Sequence, residues 1–295
     1  MDPFSESKKT RKELCVAIPA SVASDTPHLR EKTSKIGLIG RTAAIFQVDE
    51  IIVYRDEPRK NQNREVDVIT KLLTYMETPQ YLRKRLFKLE PTLNYAGILP
   101  PLRTPHHPLK RTIEELKLGE YREAVTLGGA RGGTLADIGV ERPAIIRDQK
   151  LPSSERVTVR IDKINRDVEA SLVVRGETSE YWGYKVTSNQ ASFGDVVKRR
   201  HFDLTIATSR CGVPINDLQK TLVQRWTDAK QIFVAFGSPA RGLHEIAGQE
   251  GLRLENAVDY VVNMIPRQAT ETVRTEEALI ASLAVLNACI SFLQA

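Results

Sequence analysis

Three cysteines in 295 residues, Cys15, Cys211 and Cys289, are odd in number and far apart. That suits neither a disulfide framework nor zinc-ligand spacing, so a reducing compartment, the cytoplasm, is expected and no metal is. No apolar run reaches the ~20 residues needed to cross a bilayer. The longest, ALIASLAVLNACISFL at 278–293, contains Ser282, Asn287 and Ser291 and reads as a buried helix, so no membrane partner is expected. The opening MDPFSESKKTRK has no apolar segment and does not read as a secretion signal; residues 1–12 are expected to form a flexible basic tail. No Walker sequence and no GxGxxG occurs, which argues against a nucleoside triphosphate site and an ordinary dinucleotide fold. What remains is a chain 41% apolar and 27% charged, as soluble globular proteins are, with room for one large domain or two. Its net charge of +6 makes a polyanion such as nucleic acid a reasonable partner.

The chain opens as strand, helix, strand. LCVAIPAS is a short apolar run, HLREKTSKIGLIGRTAAIFQ has helical spacing, and EIIVYRD is a β-branched strand. A strand without polar alternation needs cover on both faces, which points to a parallel sheet under helices. EVDVITKLLTYMETPQYLRKRLF continues as helix, broken near Pro79. Pro100, Pro101, Pro105 and Pro108 then mark a connector. Five short strand patterns follow, YREAVTLGG, GGTLADIG, PAIIRD, RVTVRIDKI and DVEASLVVRG, as in a small OB-like barrel. The α/β pattern returns near residue 181. The expected fold is therefore α/β: a parallel-sheet domain over 13–95 and 179–295, interrupted by an all-β barrel domain over 96–178.

Three late strands end in turn-rich loops: ATSRCGVP at 207–214, FGSPARG at 236–242, and NMIPRQATETVRTEEA at 263–278. Ligands collect at the carboxyl ends of strands in open α/β sheets, so three such loops side by side would form a pocket lined by backbone amides. Histidines offer little: His28, His106, His107 and His201 lie outside these loops, and His244 just beyond the second. His106 and His107, adjacent in a proline-rich stretch, read as surface residues. No general base stands out.

The segments KIGLIGRTAAIFQVDEIIVY, FVAFGSPARGL and NMIPRQATETVRTEEALIASLAVL together resemble the SPOUT superfamily of RNA methyltransferases. Within it, the chain is similar to the archaeal and eukaryotic RNA uridine methyltransferases with an inserted OB-like domain. The resemblance implies a C-terminal trefoil knot, a homodimer with its active site at the interface, and S-adenosylmethionine gripped by the three loops. By resemblance the first loop supplies Thr208, Arg210, Cys211 and Gly212, and the second Gly237 and Gly242. The third supplies Asn263, Met264, Ile265, Pro266, Gln268, Thr270 and Thr272.

Arg41 corresponds to the arginine that contacts the target nucleotide, and is the expected catalytic residue. The implied substrate is RNA, with N3 of a ribosomal RNA uridine favoured; a non-catalytic RNA-binding assembly factor that keeps the knot as a scaffold is the alternative. The barrel region is rich in arginine and nearly devoid of aromatics, so it is expected to position RNA through phosphates, with Arg156 and Arg160 as contacts, more than by base stacking. The small residues Ala281, Ala284 and Ala288 suit the last helix to a dimer interface.

Overall fold

The computed structural model describes residues 12–178, 180–188 and 191–291. The expected tail lies outside the described residues apart from Lys12, whose ammonium donates to the carbonyls of Trp226 and Ala229, each at 2.8 Å. The chain forms two compact units, one from residues up to Leu73 together with those from Tyr184 on, the other from Thr74 to Gly183.

The elements run in this order: β1 (Glu13–Pro19), α1 (Leu29–Ile45), β2 (Glu50–Tyr54), α2 (Asn63–Glu77), α3 (Gln80–Leu86), β3 (Tyr121–Ala130), β4 (Gly133–Asp137), β5 (Ala144–Arg147), β6 (Arg156–Ile164) and β7 (Val168–Val173). They continue as β8 (Lys185–Thr187), α4 (Phe193–Arg199), β9 (Leu204–Pro214), α5 (Ile215–Asp228), β10 (Gln231–Ala235), α6 (Leu243–Gln249), α7 (Leu254–Ala257), β11 (Tyr260–Asn263) and α8 (Thr275–Ser291).

In the first unit a six-stranded sheet, ordered β11-β9-β10-β1-β2-β8, is parallel throughout. Its apolar strands are buried on both faces, as continuous apolar runs require: every residue of β2 is buried. The one charge in that strand, Glu50, accepts from Arg200 at 2.7 and 3.0 Å. Burial alone would raise its pKa, but these bonds hold it below the usual carboxylate range. Tyr54 donates its hydroxyl to the carbonyl of Phe236 at 2.7 Å, fixing the carboxyl ends of β2 and β10 to each other. Helices α1 and α8 pack together. Between them Lys35, 7% exposed, lies 3.3 Å from Glu276 and 2.7 Å from Asp25. No described helix is long and apolar enough to cross a membrane.

The second unit holds a closed five-stranded barrel, β3-β4-β5-β7-β6, in which only β5 and β7 pair in parallel. Period-two alternation builds its core: Val159 and Ile161 of β6 point inward with Ala124, Ile146 and Val168. This unit is wider than the span expected for the barrel, because the flanking segments fold onto the strands. Tyr81 of α3 donates to the carbonyl of Glu123 at 2.8 Å, Arg85 pairs with Asp137 at 2.6 Å, and the Trp182 indole donates to Glu123 at 2.5 Å.

Candidate functional site

The loops converge at the carboxyl ends of β9, β10 and β11, enclosing a pocket of about 400 Å³. That volume falls within the ~300–1,000 Å³ usual for small-molecule sites. The first loop is a bulge inside a strand. The β9–β11 ladder jumps from Ala207↔Val261 to Val213↔Val262, which pushes residues 208–212 out of the sheet. The carbonyl of Arg210 accepts from the Asn263 amide at 3.0 Å, and the Arg210 guanidinium donates to the carbonyl of Glu271 at 2.5 Å. These bonds tie the first loop to the third. The second loop closes on itself through Ser238 N–H to the Arg241 carbonyl at 2.9 Å, and Thr275 at the start of α8 donates to the carbonyl of Gly237 at 2.9 Å.

Most residues expected in this pocket lie in its wall. Thr208, Arg210 and Cys211 line it from the first loop, and Gly237 and Gly242 from the second. The third contributes Asn263, Met264, Ile265, Gln268 and Thr272, whereas Gly212, Pro266 and Thr270 are not part of the wall. Gly212 serves packing instead: a Cβ there would stand 2.7 Å from the carbonyl oxygen of Val261, so only glycine lets the bulge rejoin the ladder. Arg41 sits half-buried on α1 and is not in the wall of its own chain's pocket.

The two pocket glycines differ. A Cβ at Gly237 would meet the Arg241 carbonyl oxygen at 3.0 Å and the Gly242 Cα at 3.2 Å, whereas one at Gly242 meets nothing within 4 Å. Gly242 has φ −74°, open to any residue. Gly242→Leu is therefore expected to fold normally and to lower affinity for the pocket's ligand by tenfold or more. Gly237→Leu should destabilise the protein by about 1–3 kcal/mol, the usual cost of overpacking. Calorimetry and thermal melts on the two variants check this pair; equal melting points would place the Gly237 strain elsewhere.

Several wall residues were not among those expected in the site. Ser209, His244 and Ser282 line the pocket. His244 lies on α6, with Nδ1 3.2 Å from the Ser209 hydroxyl and Nε2 3.0 Å from Glu255 on α7. A carboxylate only accepts, so Nε2 carries the proton and Nδ1 is left to accept from Ser209. A histidine oriented in this way on a pocket wall can take up a proton. The spacing of His244 and Glu255 on two short helices would have pointed to it, had those helices been recognised.

Elsewhere Glu13, Cys15 and Glu50 have ligand atoms close enough to share an ion, but Glu50 is already bonded by Arg200 and Thr187. In the barrel unit, Arg122 is fully buried and pairs with Glu120 at 2.9 Å. Arg156 is held between Glu77 at 2.6 Å and Glu123 at 2.5 Å. Its charge is thus met by carboxylates of its own unit, which leaves little for an RNA phosphate. Arg160, half-exposed, pairs locally with Asp162 at 3.0 Å. His106 and His107 are not surface residues: His106 is fully buried, and both rings bond the Glu77 carbonyl, at 3.1 and 2.7 Å.

Residues 13–286 match a protein family described as "Putative RNA methyltransferase". An uncharacterised protein of Haloarcula marismortui is 34% identical over 285 residues, covering 92% of this chain and 98% of its own. The 28S rRNA (uridine-N(3))-methyltransferase of Mus musculus is 33% identical over 93% of this chain and 76% of its own length. The protein of the same name from Homo sapiens is 30% identical, over 93% and 77%. A match that spans both strand-bearing units and all three pocket loops places the chain in this family of RNA methyltransferases.

Proposed function

We propose that the protein transfers a methyl group from S-adenosylmethionine to N3 of a uridine in ribosomal RNA. The observation that carries this reading is the pocket at the ends of β9, β10 and β11, built from the loops in which the donor was expected. The residues fit such a ligand. Gly242 leaves open space where a side chain would project, Met264 and Ile265 give an apolar wall, and residues of all three loops line the cavity. The relatives named for uridine-N3 methylation support the choice of atom.

Bound there, the donor would supply an electrophilic sulfonium methyl, and the protein's part is to hold the acceptor nitrogen in line and remove its proton. His244, oriented by Glu255 and bonded to Ser209, is our choice for the proton acceptor. His244→Gln is expected to lower methyl transfer by about 10²-fold in turnover while leaving donor affinity intact. Single-turnover rates with calorimetry check this, and a matching loss of donor affinity would reduce His244 to a wall residue.

Several finer features belong to the same reading. We read the strand order of the barrel as OB-like, the C-terminal part of the chain as a trefoil knot whose last helix threads a loop, and the assembly as a homodimer with Arg41 reaching its partner's pocket. Leu38 and Ile45 of α1 and Ile280 of α8 are exposed apolar residues, and Ala284 is exposed on α8, as a face covered by a second copy would be. Arg160 remains a proposed phosphate contact of the barrel. The decisive experiment incubates the protein and methyl-labelled donor with ribosomal RNA from cells lacking it, then maps modified nucleosides. Label on 3-methyluridine is the expected result; donor binding without RNA labelling would leave an RNA-binding scaffold.

A further inference from the structure

A second cavity of about 400 Å³ adjoins the first on the same side of the sheet, lined by Glu57, Pro58, Arg59, Lys60, Arg241 and Gln249. It is placed by topology. β1 lies between β2 and β10, so the loop that leaves β2 at residues 55–62 stands beside the loop that leaves β10. Arg241 lines both cavities.

The loop after β2 is held rigidly from behind. The buried carboxylate of Asp56 accepts from the Ser21 amide at 3.1 Å, the Ser21 hydroxyl at 2.5 Å and the Gln62 amide at 2.9 Å. The Gln62 carbonyl in turn accepts from the amides of Asp56 and Glu57, both at 3.1 Å. Such a loop gives up little backbone entropy on binding.

Three cations and one carboxylate face this cavity. Glu57 is shared by Lys60 at 2.9 Å and Arg241 at 2.5 Å. Arg59 and Lys60 are exposed. The Nε of Arg241 is buried with no hydrogen-bond partner. A buried guanidinium donor is costly to leave unpaired, so it marks a place where an acceptor is missing. Asp56 also lies 3.8 Å from Arg241, but its oxygens already accept from Ser21 and Gln62, so the three cations outnumber the two carboxylates and the cavity favours an anion.

We propose that this cavity seats a backbone phosphate of the RNA strand whose nucleotide reacts in the neighbouring pocket. The proposal rests on the RNA methyltransferase reading, which supplies an anion in chain form. Arg241 forms the wall common to the two sites, and Glu57 holds the cations in place when no phosphate is there. A guanidinium beside two longer-range cations suits a phosphodiester, which offers two oxygens to a forked donor.

The test uses the full chain, labelled oligouridine and S-adenosylmethionine. Arg59→Ala with Lys60→Ala should weaken oligouridine binding about tenfold near physiological salt, and should make the salt dependence shallower by about one phosphate. Donor affinity should not change. Glu57→Gln should act in the opposite direction, tightening RNA binding about threefold, because it removes the competing carboxylate. Opposite signs from two changes in one loop exclude misfolding as the cause. The proposal is overturned if the double variant binds oligouridine with wild-type affinity and salt slope, if Glu57→Gln weakens binding, or if donor affinity falls with RNA affinity. Wild-type protein that fails to methylate RNA while these variants still shift oligouridine binding would remove the reaction and leave the phosphate seat standing.

Discussion

Glu77→Gln is expected to unfold the barrel unit more readily than any other single change of charge, at a cost of about 3–5 kcal/mol, the usual penalty for removing one partner of a buried ion pair. Glu77 is 4% exposed and accepts from Arg156 at 2.6 Å and Arg175 at 2.5 Å, with His106 3.3 Å away. Burial alone would push its pKa up, but the Arg156 guanidinium, the His106 bond and Arg175 outweigh this and hold the carboxyl well below the usual range. Loss of the carboxylate would leave two arginines facing a neutral amide. The fluorescence of Trp182 reports on this unit, since its indole is bonded to Glu123 in the same network. A Trp226→Phe background removes the second tryptophan. An unchanged unfolding midpoint in that background would show that Arg156 is satisfied by Glu123 alone.

The same network sets the response to acid. The folded pKa of Glu77 is depressed, so its contribution is fully present above the unfolded value of ~4.3 and fades as pH falls through the folded one. His107 acts earlier. Burial, then the neighbouring His106, pushes its pKa down to about 3, against the pull of the Glu77 carbonyl. The unfolded chain takes up a proton below ~6.5 that the folded chain refuses, so stability declines from there towards the folded value. The barrel unit should therefore weaken from mildly acidic pH downward, and His107→Gln should flatten the upper part of that decline. This network also decides Arg156. Its replacement is expected to lower the melting point and to leave the salt dependence of RNA binding nearly untouched, the reverse of a phosphate contact.

What could be read in the sequence follows from the range of the interactions involved. β1, β2 and α1 were legible because a strand covered on both faces must be continuously apolar, as Ile51 to Tyr54 are. The barrel strands were legible for a related reason, as alternation such as Val159, Ile161 against Arg160 and Asp162 is local. The pocket loops showed themselves as turn residues after apolar runs. That residues 208–212 are a bulge inside β9 could not be read, because the Gly212 approach to Val261 depends on a strand some fifty residues on. Helices α6 and α7 were missed since Gly248 and Gly251 interrupt their pattern within a few residues. The burial of His106 and His107 and the pairing of Arg156 all turn on Glu77, which is 79 positions from Arg156. Composition correctly showed that the barrel is rich in arginine. It could not show that several of those charges are met within the unit.

Arg41 offers the sharpest test of the proposed assembly. Arg41 is not among the residues lining the pocket of its own chain, yet the resemblance assigns it to the reacting nucleotide, as it would be if Arg41 acts in the pocket of a second copy. Arg41→Ala alone should lower methyl transfer by about 10²–10³-fold, as loss of a donor to developing negative charge does, while donor binding stays intact. A mixing experiment then separates the two arrangements. Gly242→Leu blocks the pocket and keeps Arg41; Arg41→Ala keeps the pocket. If each site draws its pocket from one subunit and Arg41 from the other, a mixed dimer holds one intact site, and equal mixing at limiting donor, where both variants are nearly inactive, should restore about a quarter of wild-type activity. If Arg41 serves its own chain, no mixed dimer holds an intact site and mixing restores nothing. Activity that survives in Arg41→Ala alone would remove the residue from the reaction altogether.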